Sequence, residues 1–163
     1  MDIKKIVNYS MLLAISVVLS IIESFIPIFS GLIVGVKLGL ANIIVLYVLY
    51  IYGFKDAIYI SILRVILVGI LRTGLFSITF LFSLSGAIIS ILMMGLFKLT
   101  KLSIIGVSII GSIFHIVGQI IVAVIILNTS NILYYLPYLL IFSCITGTII
   151  GIISKEIVNR REL

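Results

Sequence analysis

Long apolar runs, each close to the length of a membrane-crossing helix, follow one another along almost the whole chain. A helix needs about 20 residues to cross the hydrocarbon of a bilayer. Proline, glycine and short polar segments interrupt these runs at intervals that leave room for six such helices. We expect the helices at residues of about 6–26, 36–52, 56–71, 76–97, 103–127 and 134–154. The pattern predicts an all-α integral membrane protein with six transmembrane helices, forming one membrane domain over residues 1–163.

The composition agrees with this class. Of the 163 residues, 63% are hydrophobic and 10% are charged, whereas about a quarter of the residues in a soluble domain are charged. These values exclude a water-soluble globule and a disordered chain. Cys144 is the only cysteine, which excludes a disulfide scaffold and favours a small packing residue.

The charged residues predict the orientation of the bundle. With six crossings and a cytoplasmic N-terminus, the C-terminus is also cytoplasmic, and the inner side holds eight basic residues against two outside. Such an excess of Lys and Arg is typical of cytoplasmic loops. The net charge of +6 thus reports topology, and nothing in the sequence supports nucleic-acid binding. The inner residues are Lys4, Lys5, Lys55, Lys98, Lys101, Lys155, Arg160 and Arg161, and the outer ones are Lys37 and Arg72.

Arg64 lies near the middle of the third predicted helix. An Arg at this depth costs about 2.5–3.5 kcal/mol on insertion scales, so its side chain should face protein or water. It could clamp neighbouring helices through an ion pair or carbonyl groups, or it could contact a ligand. Glu23, at the outer end of the first helix, is the acid at membrane depth that could pair with it.

Other polar residues are predicted in the same outer half of the membrane. Lys37 and Arg72 lie at the outer ends of the second and third helices, where they could snorkel to the interface or serve as a gate. Asn42 lies about one and a half turns deeper than Lys37. His115 and Gln119 are one turn apart on the fifth helix, and they form either a hydrogen-bonded packing seam or a ligand-facing stripe.

Together these residues predict a polar pocket that opens to the outside. With Lys37, Arg64 and Arg72 against Glu23, its charge favours a small ligand with an anionic group. The candidate ligand contacts are Lys37, Asn42, Arg64, His115 and Gln119.

Small residues recur at one-turn spacing, which lets helix backbones approach closely. Most of these stripes should be internal packing, and one could dock a partner. The stripes are Ser10-x-x-x-Ala14, Gly31/Gly35/Gly39, Ser83/Gly86/Ser90 and Ser143/Gly147/Gly151.

The chain lacks the residues that several catalytic classes need. It contains no phosphate loop of the G-x-x-x-x-G-K-[ST] type, so we expect no ATP hydrolysis by this chain alone. Asp2 and Asp56 are its only aspartates, too few for an Asp-rich magnesium site. A single His without acidic or thiolate companions argues against zinc. We therefore expect neither an enzyme nor a bound cofactor, and favour binding or transport.

Several segments resemble one family. GVKLGLANI at 35–43 follows ESFIP at 23–27, and further along come SILRVILVGIL, FSLSGA, IGVSIIGSIFHIVGQ, YYLPYLL and TGTIIG. From about Glu23 to Ser154, the chain resembles the Gx transporter family, also labelled component I of heptaprenyl diphosphate synthase.

That family is similar to the substrate-binding S-components of energy-coupling factor transporters of bacterial cytoplasmic membranes. The resemblance implies a six-helix bundle with a ligand pocket near the outer face, a membrane coupling protein and separate ATPase subunits. It also implies that Ser10 and Ala14 replace the Ala-x-x-x-Ala motif with which S-components dock on the coupling protein.

Three hypotheses follow. The first is a substrate-binding subunit of a vitamin or cofactor-precursor importer. The second is a non-catalytic membrane scaffold for isoprenoid or quinone synthesis, or for flavin-linked electron transfer. The third is a self-sufficient secondary carrier, for which Glu23 is the acid available at depth to bind a coupling ion.

Overall fold

The computed structural model of the chain describes residues 3–25 and 39–162, and within these ranges it is helical without strands. A π-helical turn, Gly69–Thr73, continues α3, and a 3-10 segment, Ser130–Tyr135, leads into α6. The all-α class is confirmed. The six α-helices are α1 (Ile3–Glu23), α2 (Asn42–Ile51), α3 (Phe54–Val68), α4 (Ile78–Lys98), α5 (Ile104–Leu127) and α6 (Leu136–Glu162).

Four helical segments are long and apolar enough to cross a membrane. They are Ile3–Glu23, Ile78–Lys98, Ile104–Leu127 and the continuous segment Ser130–Arg160. This makes the chain a multi-pass membrane protein. The full count of six crossings and the cytoplasmic location of both termini remain predictions.

Local residues explain where several helices begin and end. Ser77 and Ser103 cap α4 and α5, because their side chains accept the backbone N–H groups of Phe80 and Gly106. α5 ends where Asn128 adopts a left-handed conformation, with a φ of 47°. Gly53 has a φ of 107°, which residues with a Cβ rarely adopt. Glycine therefore lets the chain reverse between α2 and α3.

α2 is a short helix inside the bundle. Its ten residues are about 15 Å long, half the hydrocarbon thickness. Val45, Leu46, Val48 and Leu49 are fully buried. The helix begins at Asn42 rather than near residue 36, because the chain turns at residues 39–41 with a φ of +89° at Gly39.

α4, α5 and α6 pack closely through small residues. Ser90 Oγ donates to the carbonyl oxygen of Gly111 across 2.8 Å, and Ser108 Oγ donates to that of Gly147 across 2.7 Å. A Cβ at Gly147 would lie 2.8 Å from Ile109 Cα, so only a glycine fits there without a shift of the helix. These predicted stripes therefore form internal packing surfaces.

α1 lies at the edge of the bundle and keeps one apolar face exposed. Val7, Met11 and Val18 are 56%, 62% and 53% exposed. Ser10 and Ala14 are exposed on the same helix. The spacing of these positions, three or four residues, places them along one side of α1.

Candidate functional site

A polar pocket lies at the end of the bundle where α1 ends and where α2 and α4 begin. Its free space holds about one water molecule, so a larger ligand requires the walls to move. The residues that line it are Ser20, Glu23, Gly39, Ala41, Arg64, Val65, Val68, Thr73, Phe80, Ser83 and His115.

Arg64 brings a buried positive charge to this pocket. Its side chain comes from the third turn of α3, and the residue is 4% exposed. Both of its terminal nitrogens donate to Asn42 Oδ1, at 3.3 and 3.4 Å. A guanidinium has five N–H donors, and these two long bonds to a neutral oxygen leave donors for a further acceptor.

Glu23 brings the matching negative charge. Its carboxylate accepts the backbone N–H groups of Gly39 and of Leu40, the latter across 3.1 Å. These amides belong to the turn that precedes α2, so Glu23 joins the end of α1 to the beginning of α2. Its charge also attracts the Arg64 guanidinium, although the hydrogen bonds of Arg64 go to Asn42.

His115 and Gln119 form the α5 side of the site. Their Nε2 atoms are 2.9 Å apart, so the amide N–H of Gln119 donates to the imidazole nitrogen. α4 approaches this pair at Gly86, where a Cβ would lie 2.8 Å from the His115 carbonyl oxygen. On the opposite side, a Cβ at Gly39 would lie 4.0 Å from the His115 ring. The structure thus brings His115 next to the α2 turn.

Two buried polar atoms of this cluster lack a hydrogen-bond partner within residues 3–25 and 39–162. They are Asn42 Nδ2 and Gln119 Oε1, on residues that are 4% and 0% exposed. Buried polar groups in proteins are nearly always hydrogen-bonded to protein, water or a ligand. Asn42 and Gln119 are not among the residues that line the pocket, but they hydrogen-bond to the lining residues Arg64 and His115.

Arg72 lies outside this lining. It is exposed, and its guanidinium donates to the carbonyl oxygens of Ile21 and Ser24, at 2.9 and 3.3 Å. Ser10 and Ala14 also lie outside the lining, at exposed positions of α1. Lys37 lies outside the residues that the structure describes. The described part of the pocket therefore carries one cation and one anion.

Sequence reasoning missed several lining residues. Ser20, Thr73 and Ser83 contribute hydroxyl groups, and Phe80 contributes an aromatic wall. Serine and threonine are common in packed membrane helices, so their presence in a helix does not by itself indicate a pocket. The spacing of Ser83 and Gly86, predicted as one face of α4, was the available indication that this face meets the site. Among the described residues, no group of three His, Cys, Asp or Glu side chains could hold a metal.

Fold and site together define a multi-pass helical membrane protein with a buried polar pocket at one end of its bundle. The family model for heptaprenyl diphosphate synthase component I matches residues 12–157. The chain belongs to this family, which confirms the resemblance to the component I label. Neither the comparison with curated proteins nor the comparison with solved structures gave a match.

Proposed function

We propose that this chain is the membrane substrate-binding subunit of an uptake transporter of the S-component type. Its ligand would be a small solute with an anionic group, such as a vitamin or cofactor precursor, bound in the outer half of the membrane. The observation that carries the proposal is the buried polar cluster around the pocket. Such a cluster is costly in a membrane protein and is usually kept for a function.

The chemistry of the two charged side chains supports an anionic ligand. The carboxylate of Glu23 already accepts two backbone N–H groups, so its charge is compensated locally. Among the described residues, the Arg64 guanidinium donates to Asn42 through two long bonds, and charge-assisted bonds to a carboxylate or phosphate are stronger and shorter. Asn42 Nδ2 offers a further donor beside Arg64.

The partners of this function would be a membrane coupling protein and two ATPase subunits. The exposed small residues Ser10 and Ala14 on α1 support a docking face for the coupling protein, because small residues let another helix approach closely. The sequence has no phosphate loop, so the energy for inward release would come from the ATPases.

Copurification tests this proposal. The tagged full chain is extracted from its native membrane in mild detergent, and bound proteins and small molecules are identified by mass spectrometry. We expect a coupling protein, an ATPase pair and a retained anionic solute. Arg64→Leu should reduce the retained solute by about 30-fold or more, since losing one partner of a buried charge contact costs about 2 kcal/mol or more.

Arg160→Leu is the matched control. It removes the same charge from an exposed position that is paired with Glu156, and it should leave the solute unchanged. Full retention of the solute by a correctly inserted Arg64→Leu protein would show that Arg64 is structural, and the pocket assignment would be wrong.

The family description favours a second candidate function. A membrane component of a heptaprenyl diphosphate synthase could hold the enzyme at the bilayer without catalysing the reaction, because Asp2 and Asp56 are the only aspartates of this chain. Recovery of a prenyl synthase without ATPases in the same experiment would favour this scaffold.

A further inference from the structure

Two of the walls of the pocket come from different parts of the bundle, and residues of the α2 turn, α3, α4 and α5 complete the lining. Ser20 and Glu23 belong to the last turns of α1. Val68 and Thr73 belong to the end of α3 and to the π-helical turn. Because the closed pocket has room for about one water molecule, any vitamin-sized solute has to move one wall relative to the other.

Arg72 lies outside the pocket lining and joins the two segments that carry these walls. It extends from the π-helical turn and donates to Ile21 and Ser24 carbonyl oxygens, which bracket Glu23 in the chain. Its guanidinium carbon also lies 4.0 Å from the centre of the Phe25 ring, a cation–π contact. The carbonyl end of α1 carries the negative end of the helix dipole, so a cation is favourable there.

The segment that carries Arg72 has an irregular backbone. The π-helical turn Gly69–Thr73 is followed by Gly74, with a φ of 81°, and by Phe76, with a φ of 63°. A left-handed conformation is unfavourable for a bulky residue such as Phe76, and its side chain is 81% exposed. π-turns and strained positions of this kind often occur at functional sites.

The exposure of Arg72 distinguishes it from Arg64. The contacts of Arg64 are buried, whereas those of Arg72 lie at the surface of the bundle, so the latter can break without unpacking the interior. Exposed contacts of this type are individually modest. They can therefore hold a closed state without preventing its opening.

From these contacts we infer that Arg72 is a latch for the pocket. It holds the α3–α4 connection against the last turn of α1, and loss of its contacts opens the pocket to solutes. This role rests on the proposed function, because it assumes that the pocket receives a ligand.

The rate at which a thiol in the pocket reacts with a charged reagent tests the latch without any knowledge of the ligand. The full chain is made cysteine-free with Cys144→Ser, and Ser83→Cys then places one thiol in the pocket lining. The detergent-solubilised protein reacts with 2-sulfonatoethyl methanethiosulfonate. Ser130→Cys, at an exposed position of the α5–α6 connection, is the reference thiol.

With Arg72 present, Ser83→Cys should react much more slowly than Ser130→Cys. Arg72→Met should accelerate the reaction at Ser83→Cys about tenfold, as expected for the loss of two exposed, charge-assisted hydrogen bonds. It should leave the rate at Ser130→Cys unchanged. Arg72→Lys keeps the charge and loses the paired geometry, so an intermediate rate is expected.

Equal rates at Ser83→Cys with Arg72, Lys or Met at position 72 would overturn the latch. The same holds if Ser83→Cys reacts as fast as the reference while Arg72 is present. If Arg72→Met does not fold, the conservative Arg72→Lys variant decides the question by the same comparison. Because the assay contains no ligand, its failure is distinct from a failure of solute retention in the Arg64→Leu experiment.

Discussion

Gly86 lets α4 pack directly against the turn of α5 that carries His115 and Gln119. A Cβ at this position would lie 2.8 Å from the His115 carbonyl oxygen and 3.0 Å from Gln119 Cγ. The nearer atom belongs to the backbone, so a side-chain rotation cannot relieve the contact. In a Gly86→Ala protein the two helices have to separate by roughly half an ångström to reach ordinary van der Waals distance.

This separation determines the size of the expected effect. Overpacking of a well-packed interior typically costs about 1–3 kcal/mol, and we expect Gly86→Ala to lower the free energy of unfolding by that amount. Gly106→Ala is the matched control, because it is also a helical glycine but its Cβ would have 3.6 Å to the nearest atom, Leu102 Cδ2. The control should leave stability unchanged or raise it by up to about 1 kcal/mol, because alanine favours a helix over glycine.

Titration with sodium dodecyl sulfate in mixed micelles measures both effects. The near-ultraviolet circular dichroism of the eight tyrosines reports loss of tertiary packing, because the chain contains no tryptophan. The reasoning is refuted if Gly86→Ala and Gly106→Ala have the same unfolding midpoint and slope. In that case the contact between α4 and α5 at the site must be looser than these distances indicate.

Three further substitutions test other parts of the structure. Ser90→Ala removes the donor to the Gly111 carbonyl and should lower stability in the same titration by about 0.6 kcal/mol, the average for such bonds between membrane helices; an unchanged midpoint would argue against this bond. Glu23→Ala leaves the N–H groups of Gly39 and Leu40 without their acceptor and should cost about 1–3 kcal/mol; a loss as small as that of Ser90→Ala would contradict the proposed join between α1 and α2. Ser10→Leu adds bulk to an exposed position, so it should abolish copurification of the coupling protein without any change in stability. Loss of stability in that variant would instead place Ser10 in an internal contact.

Part of the site could be predicted because its polar residues lie within apolar, membrane-spanning segments. Arg64, Asn42, His115 and Gln119 stand out in apolar segments, and the cost of burying them implies protein surroundings. In the structure, Arg64 and His115 line one pocket with Glu23, and Asn42 and Gln119 hydrogen-bond to these two lining residues. Their role in ligand binding stays a prediction.

The length of α2 and the position of Arg72 could not be predicted from the sequence, because both depend on irregular backbone between the helices. Hydropathy cannot distinguish a helix that faces lipid from one enclosed by protein, so the shortness of α2 was not visible. Hydropathy also does not reveal the π-helical turn Gly69–Thr73, which carries Arg72. Arg72 was consequently counted as one of three pocket cations, although it contacts the end of α1 instead. With Lys37 outside the described residues, the described pocket is balanced in charge.

The short length of α2 also gives the distance between the pocket and the other side of the membrane domain. Counted from its other end at Ile51, ten residues reach only about 15 Å, half of the hydrocarbon layer. The turn at Gly39 and Ala41, which lines the pocket, is therefore separated from the far end of α2 by about half of the hydrocarbon layer. A molecule bound beside Arg64 would therefore still have about 15 Å of hydrocarbon to cross before its release at the far end of α2.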